Sequence, residues 1–357
     1  MSGEKRAASS SFGGSTQMVK RQKSDADLNG GALTRTNGGS SALIQGSYFN
    51  ASNLQSPVMQ LTGHTAEVFC GRFSPDGAHI ASGSMDRSIL LWNTTGDCAN
   101  YGLLSGHKSA ILDMHWSRDS QVIYSASADK TVASFNVETG ERIRKHVGHE
   151  EVINCLDVSR RGEEFLVSGS DDGSISIWDP RAKAAIEYIE TQYPVTAIAL
   201  SEAGNECYSG SIDNDIQVWD LRMKKVQYTL TGHGDTITSL AVSPDGQELL
   251  SYALDSTVRT WDVRPFAPKE RGVRVFDGAN VGLEKNLVRA SWDAEGKRIA
   301  AGGGDGSATV WESKTGKMLH KLPGHKGTVN DVRISPDGSM VLSASTDRSL
   351  LLGELPR

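Results

Sequence analysis

The sequence predicts an all-β fold, a seven-bladed propeller, from a regular repeat whose units carry the same few residues. Aspartates in a common setting recur at intervals of 41 to 50 residues, and an aromatic residue follows six of the seven by six positions. These aspartates are Asp86, Asp129, Asp172, Asp213, Asp255, Asp305 and Asp347. Five units also contain Gly-His, with the histidine 22 or 23 residues before the aspartate. A period of about 42 residues with these marks is typical of four-stranded propeller blades.

The first repeat shows the strand order expected within a blade. Residues 67–73 form the predicted inner strand, and Ser74-Pro75-Asp76-Gly77 forms a turn in which Pro fixes φ and Gly takes a positive φ. Residues 79–84 and 88–93 are the predicted second and third strands, and the outer strand is expected around residues 101–104.

Ring closure follows from the last repeat, which lacks a fourth strand. Residues 350–355 are its predicted third strand, and Pro57-Val58-Met59-Gln60-Leu61, just before the first Gly-His, can supply the missing one. Joining the two parts hides strand edges that an open sheet exposes. The sequence therefore predicts a propeller over residues 53–357, closed by an N-terminal strand.

Residues 1–52 are predicted to be a disordered tail. The segment is rich in Ser, Gly, Asn and Thr and shows neither helical nor strand periodicity. Its basic cluster Lys20, Arg21 and Lys23 is either a nuclear-import signal or simply a solvated group of charges.

Charge and composition exclude several function classes. The net charge is −6, while residues 1–50 carry six basic and three acidic side chains, so the remainder carries −9. An acidic body argues against direct RNA binding, because phosphate contacts favour a basic surface. The four cysteines form no CxxC pair, and no run of 18 apolar residues occurs. We therefore predict no cofactor, no metal site, no membrane span and no small-molecule substrate.

The polar residues of each unit resemble those of WD repeats, in which His, Ser, Asp and Trp form a buried hydrogen-bond chain. Complete sets occur in blades one, three and five: His64, Ser82, Asp86, Trp92; His149, Ser168, Asp172, Trp178; and His233, Ser251, Asp255, Trp261. A Ser-His-Asp catalytic triad is the alternative interpretation. Repetition in several blades favours a structural role, since an enzyme does not need several active sites, so we predict that the protein is not an enzyme.

Two places are predicted to bind partners. Met85, Ile212 and Leu254 precede the turn aspartates, where polar residues are usual, so they are candidates either for an apolar partner or for packing between loops. The connection after Trp261 is longer than its counterparts. It contains Arg264, Pro265, Phe266, Pro268, Lys269 and Arg271. Two prolines, an aromatic residue and arginines suit partner recognition, and the alternative is a tolerated insertion with Phe266 lying on its own blade.

Three blades read Trp-Asp-x-Arg, ending at Arg181, Arg222 and Arg264. The pattern resembles substrate receptors that dock on the adaptor of cullin-four ubiquitin ligases. In the other interpretation, each arginine braces its own blade.

Longer segments carry a more specific resemblance. They are Val263–Arg271, Glu284–Trp292, Gly96–Tyr101, Ile212–Asp220 and Val19–Gln22. Together they resemble the small WD-repeat subunits of the U5 small nuclear ribonucleoprotein of the spliceosome. The resemblance implies a nuclear, non-enzymatic scaffold in pre-mRNA splicing. It also implies binding to pre-mRNA-processing factor eight and other U5 subunits, with indirect RNA contact.

Overall fold

The computed structural model describes residues 54–268, 270–282 and 284–355 and folds them into seven four-stranded antiparallel sheets. The innermost strands of consecutive sheets contact one another around a closed ring, including the last and the first. No helix occurs within these ranges. The predicted seven-bladed WD-repeat propeller is confirmed. The predicted tail, with Lys20, Arg21 and Lys23, lies outside the described residues, as do Lys269 and Leu283.

Each blade contributes four strands, ordered below from the innermost outward. Blades one to three contain β2 Val68–Phe73, β3 His79–Ser84, β4 Ser88–Asn93, β5 Asn100–Ser105; β6 Ile111–Trp116, β7 Val122–Ser127, β8 Thr131–Asn136, β9 Arg142–Val147; and β10 Ile153–Val158, β11 Leu166–Ser170, β12 Ser174–Trp178, β13 Glu187–Glu190. Blades four and five contain β14 Val195–Leu200, β15 Glu206–Ser211, β16 Ile216–Asp220, β17 Lys225–Leu230; and β18 Ile237–Val242, β19 Glu248–Ala253, β20 Val258–Asp262, β21 Gly272–Phe276. Blades six and seven contain β22 Ala290–Trp292, β23 Arg298–Gly302, β24 Ser307–Glu312, β25 Met318–Pro323; and β26 Val329–Ile334, β27 Met340–Ser345, β28 Ser349–Glu354, β1 Val58–Thr62.

The turn between β2 and β3 forms as its residue types predict. Gly77 has φ of 73°, a conformation that glycine adopts without steric cost. A carboxylate oxygen of Asp76 accepts a hydrogen bond from the Ala78 amide at 3.0 Å, and Ser74 Oγ accepts one from the His79 amide at 3.0 Å. The turn thus fixes the register of the two innermost strands.

Strand β1 closes the ring as predicted. It pairs antiparallel with β28, with Gln60 opposite Leu351, as the fourth strand of blade seven. Leu61 is buried in an apolar cluster that contains Val68 of blade one and Leu350 of blade seven. The closing strand is therefore held by backbone pairing and by the packing between the first and last blades.

The core lies between adjacent blades. Ile111 and Met114 of blade two, for example, pack against Cys70 and Ile89 of blade one, and all four side chains are fully buried or nearly so. Cys70, Cys98, Cys155 and Cys207 are all buried and unpaired. Burial raises the pKa of the Cys70 thiol to about 12, so it stays protonated and unreactive at neutral pH.

Candidate partner-binding surfaces

The hydrogen-bond chain of blade one runs from the turn to the third strand. His64 Nδ1 lies 2.9 Å from Asp86 Oδ2, and His64 Nε2 lies 2.8 Å from Ser82 Oγ. Because a carboxylate only accepts hydrogen bonds, the proton of the imidazole is on Nδ1, and Nδ1–H donates a hydrogen bond to Asp86. Nε2 then accepts a hydrogen bond from the Ser82 hydroxyl. The indole N–H of Trp92 donates to Ser82 Oγ at 2.9 Å. One continuous chain therefore connects the turn to two strands of the blade.

Blades three and five repeat this geometry. The matching His–Asp distances are 2.9 and 3.0 Å, and the His–Ser distances are 2.7 and 2.6 Å; the residues are His149, Ser168, Asp172 and Trp178, and His233, Ser251, Asp255 and Trp261. In blade six, where Ala301 replaces the serine, the indole of Trp311 donates to the Asp277 carbonyl instead. This departure from the repeat is accommodated by a local backbone acceptor.

These Ser-His-Asp sets are built as internal braces. Ser82, Ser168 and Ser251 each have 0% of their surface exposed, so no substrate reaches their hydroxyl groups. Each hydroxyl also accepts an indole N–H, as its place in the blade requires. A satisfied polar network of this kind fixes one strand arrangement.

The three predicted rim residues differ in exposure. Met85 is 55% exposed and Ile212 is 48% exposed. Leu254 is half-buried and packs against the apolar cluster shared by blades five and six. Local packing therefore covers part of the Leu254 side chain, whereas the side chains of Met85 and Ile212 are largely exposed to solvent.

The insertion after β20 is a closed loop with an exposed tip. The Asp262 amide donates to the Arg271 carbonyl at 2.8 Å, which closes the base, and buried Val263 anchors it in the core. Phe266 is 104% exposed, so it does not rest on its own blade. Pro265 and Pro268 flank it and are also exposed. The loop holds a phenyl ring in solvent.

Two arginines brace this loop from within. Arg264 donates from Nε to both carboxylate oxygens of Asp262, at 3.0 and 3.1 Å. The guanidinium of Arg271 lies 4.1 Å from the centre of the Tyr228 ring, and its Nη1 donates to the carbonyls of Asp262 and Arg264. Because both side chains hold the loop base, the insertion is a preorganised platform for Phe266.

A groove beside the insertion was not predicted from the sequence. It has a volume of about 440 Å³, lies between the outer strands of blades four and five, and includes Arg271, Val273 and Val275 in its lining. Val273 is 45% and Val275 is 48% exposed, whereas Phe276 is buried. The sequence could have indicated this apolar face, because Val273 and Val275 are two residues apart on an outer strand and alternate strand residues share one face.

Comparison with known proteins places this propeller in a family. A β-propeller model described as "Nucleolar protein 10-like, N-terminal domain" matches residues 74–287, and a model described as "WD domain, G-beta repeat" matches residues 316–352. The "Pre-mRNA-splicing factor cwf17" of Schizosaccharomyces pombe is 48% identical over 340 residues, covering 95% of this chain and 100% of the relative.

Two further relatives share one name, "U5 small nuclear ribonucleoprotein 40 kDa protein". The human protein is 45% identical over 94% of this chain and 95% of its own length, and the Dictyostelium discoideum protein is 44% identical over 90% of each. The chain belongs to the WD-repeat family of U5 small nuclear ribonucleoprotein 40 kDa proteins.

In this member of the U5 40 kDa family, the Trp-Asp-x-Arg boxes have a local structural role. The backbone amides of Arg181 and Arg222 donate to the carboxylates of Asp179 and Asp220, at 2.7 and 2.8 Å. Arg264 clamps Asp262 with its side chain as well. Each box therefore shapes the turn that follows its third strand.

The part of the U5 40 kDa family member that the structure describes contains no group of three or more His, Cys, Asp or Glu side chains placed to hold a metal ion. Over the same residues, the structure has no helix with the length and apolar character needed to cross a membrane.

Proposed function

We propose that this chain is a subunit of the U5 small nuclear ribonucleoprotein and acts in pre-mRNA splicing as a protein-binding scaffold. The observation that carries this proposal is the similarity to splicing proteins over nearly the whole chain. The relatives' names point to splicing and not to ubiquitin ligation, so the cullin-four alternative has no support from them.

The proposed partner is the large scaffold pre-mRNA-processing factor eight, together with other U5 subunits. The protein works in the nucleus and is not an enzyme. Contact with RNA is indirect, because the charge of −9 outside residues 1–50 repels phosphate. The buried serines of the blades support the non-enzymatic role, since they offer no accessible nucleophile.

Phe266 is the proposed anchor for a protein partner. A large aromatic side chain that is wholly exposed gains its full apolar burial on binding. The loop beneath it is already held by Arg264 and Arg271, so little conformational entropy is lost when a partner docks. Exposed Met85 and Ile212 on the rim form a second candidate contact.

The test is an affinity purification of the tagged full-length protein from nuclear extract, with both RNA and protein identified. We expect the U5 RNA and the large scaffold protein to be recovered together. A purification that yields a cullin and its adaptor without U5 RNA would overturn the proposal.

Phe266→Ala tests the anchor directly. Loss of an aromatic anchor costs about 2 kcal/mol or more, which weakens binding about thirtyfold or further, so recovery of the scaffold protein should fall by up to that factor at limiting bait concentration. Ile143→Ala is the matched control, because Ile143 is 50% exposed on the outer strand of blade two, away from the insertion. Equal recovery by both variants and the unmodified protein would contradict the role of Phe266.

A further inference from the structure

The rim opposite the turn aspartates is basic where blades three and four meet. The connections from the third to the fourth strand lie on this rim, at residues 179–186 in blade three and 221–224 in blade four. Residues 179–187 and 220–226 together are called the corner surface below. They contain five basic and three acidic side chains, a net charge of +2, although the chain after residue 50 carries −9.

Two of the three carboxylates on the corner surface are held against the backbone of the turns. Asp179 accepts the backbone amide of Arg181 at 2.7 Å. Asp220 accepts the backbone amides of Arg222 and Met223, at 2.8 and 2.9 Å. These hydrogen bonds leave the arginine side chains themselves without an acidic partner.

Four of the five cations are exposed and unpaired. They are Arg181, Lys183, Arg222 and Lys225. Among the residues that the structure describes, none of these four side chains makes a hydrogen bond or an ion pair. Their charged groups are therefore available to a partner without breaking an existing contact.

The fifth cation joins the two blades. Lys224 Nζ lies 3.4 Å from Glu187 Oε1, and both side chains are partly exposed. An exposed pair of this kind contributes little to stability. It does place the connection of blade four beside the outer strand of blade three, so the two halves of the corner surface are continuous.

Large apolar side chains stand among these charges. Met223 is 63% exposed, Ile186 is 57% exposed and Val226 is 41% exposed. Exposed apolar side chains bordered by charges are typical of protein-binding surfaces, and the flexible thioether of methionine adapts to the shape of a partner. This mixture favours a protein segment over a nucleic acid.

The backbone beneath the corner surface is fixed. In blade three, His146 Nδ1 donates to the Ala182 carbonyl at 2.7 Å, and the Val147 amide donates to the Lys183 carbonyl at 3.0 Å. In blade four, Leu221 is buried in the apolar cluster shared by blades three and four. The surface is therefore preorganised, so its backbone loses little entropy on binding.

The corner surface continues to the insertion of blade five. Phe266 lies in the connection from the third to the fourth strand, on the same rim. Arg271 of the insertion lies 4.1 Å from the centre of the Tyr228 ring, on the strand that follows the blade-four connection. One extended segment can therefore contact both the corner surface and Phe266.

We propose that the corner surface is a docking site for an acidic segment of a protein partner, in which apolar side chains alternate with carboxylates. The carboxylates meet the four unpaired cations, and the apolar side chains cover Ile186, Met223 and Val226. The inference rests on the proposed role in the U5 particle, because it places the partner there. It extends the contact at Phe266 to two further blades.

The experiment is affinity purification of the tagged full-length protein from nuclear extract, with the U5 RNA and the large scaffold protein quantified. Arg222→Glu/Lys225→Glu should lower the recovery of both about tenfold or more, because an acidic segment is then repelled. Arg222→Lys/Lys225→Arg keeps both charges and should recover as much as the unmodified protein.

The matched control for charge is Lys326→Glu/Arg348→Glu. It reverses one lysine and one arginine of a single blade, both exposed, on the opposite rim. Recovery by this variant should equal that of the unmodified protein, and both reversed variants should keep the melting temperature, since the side chains are exposed.

Ile186→Ala/Met223→Ala tests the apolar part of the corner surface. It should also lower recovery. Ile143→Ala/Val147→Ala is its control, because these side chains are 50% and 46% exposed on the outer strand of blade two.

The outcomes separate this inference from the proposed function. If the unmodified protein recovers the U5 RNA and Arg222→Glu/Lys225→Glu recovers it equally, the corner surface is not the docking site, while the U5 role stands. If the unmodified protein recovers no U5 RNA, both are wrong. Loss of the large scaffold protein after ribonuclease digestion of the extract would assign the cations to RNA and overturn the inference.

Discussion

The guanidinium of Arg289, in blade six, reaches across the central channel to the carboxylate of Asp113, in blade two. Its other nitrogen donates to the carbonyls of Leu112 in blade two and Asn154 in blade three, at 2.9 and 3.2 Å. The Arg289 amide in turn donates to the Asn330 carbonyl of blade seven at 2.8 Å. One residue thereby ties blades six and seven to blades two and three across the ring.

Arg289→Met should destabilise the protein by about 3–5 kcal/mol, because it leaves the buried Asp113 carboxylate without its main partner. Urea unfolding followed by tryptophan fluorescence measures the change. The double variant Arg289→Met/Asp113→Asn removes the uncompensated charge and should recover part of the loss. If the single variant unfolds at the urea concentration of the unmodified protein, the cross-channel pair does not contribute to stability.

Asp172→Ala should cost about 1–3 kcal/mol, because the buried His149 imidazole loses its acceptor. Asp213→Ala is the matched control. Asp213 occupies the same turn position in blade four, where no histidine reaches it and its hydrogen bond comes from the Asp215 amide. Thermal melting of the two variants should show the larger drop for Asp172→Ala. Equal drops would mean that the turn itself, and not the chain to His149, accounts for the effect.

Stability should fall on mild acidification. Burial lowers the pKa of His149 and of His233 below the usual 6.5, although Asp172 and Asp255 partly oppose this. The unfolded chain therefore takes up protons that the folded protein refuses, so the free energy of unfolding is full above about pH 6.5 and declines below it. Melting temperatures between pH 8 and pH 5 measure this decline.

The double variant His149→Gln/His233→Gln should be less stable at pH 8, but its melting temperature should depend less on pH below pH 6.5.

At lower pH we expect a second loss of stability. Burial alone would raise the pKa of Asp255, but hydrogen bonds from the Gly234 amide, Thr257 and His233 outweigh it and hold the pKa at about 2. Stability from Asp255 is therefore lost between about pH 4 and pH 2. A melting temperature that rises as the pH falls from 7 to 5.5 would contradict the lowered pKa values of His149 and His233.

Deletion of residues 54–61 should unfold the protein or cause it to aggregate. It removes nearly all of β1 and leaves β28 as an unpaired edge. A deletion of residues 2–40, which leaves β1 intact, should keep the melting temperature unchanged. Size-exclusion chromatography and thermal melting distinguish the two, and a folded monomer lacking residues 54–61 would refute closure by this strand.

Local turn chemistry made much of the fold predictable. Strands β3 and β4 begin and end where the Pro-Asp-Gly turn and the Asp86 turn place them, and the inner strand of blade one differs by a single residue. Closure was also predictable, because the last repeat lacked a strand and an apolar segment preceded the first Gly-His. The hydrogen-bond chains followed from the resemblance of each unit to WD repeats.

Contacts between distant blades were not predictable in this way. Arg289 and Asp113 are 176 positions apart, and Arg289 lies in blade six, where Leu283 replaces the histidine that marks the repeat. The exposure of Phe266 depends on how Arg264 and Arg271 hold the loop, which no spacing reveals. Arg72 and Arg333 occupy the same position on the innermost strands of blades one and seven, although they lie near opposite ends of the propeller sequence.

The closing strand also sets the order of events when the protein is made. Residues 58–62 leave the ribosome before any other strand of the propeller, yet their partner, residues 349–354, is translated after all the rest. The first strand must stay unpaired through the synthesis of six complete blades, and the ring is sealed by its most distant contact in sequence. A nascent chain stalled before residue 349 therefore has an exposed strand edge at each end of an open arc of blades. We expect chaperones to matter most during this interval, because both edges can then pair with other chains.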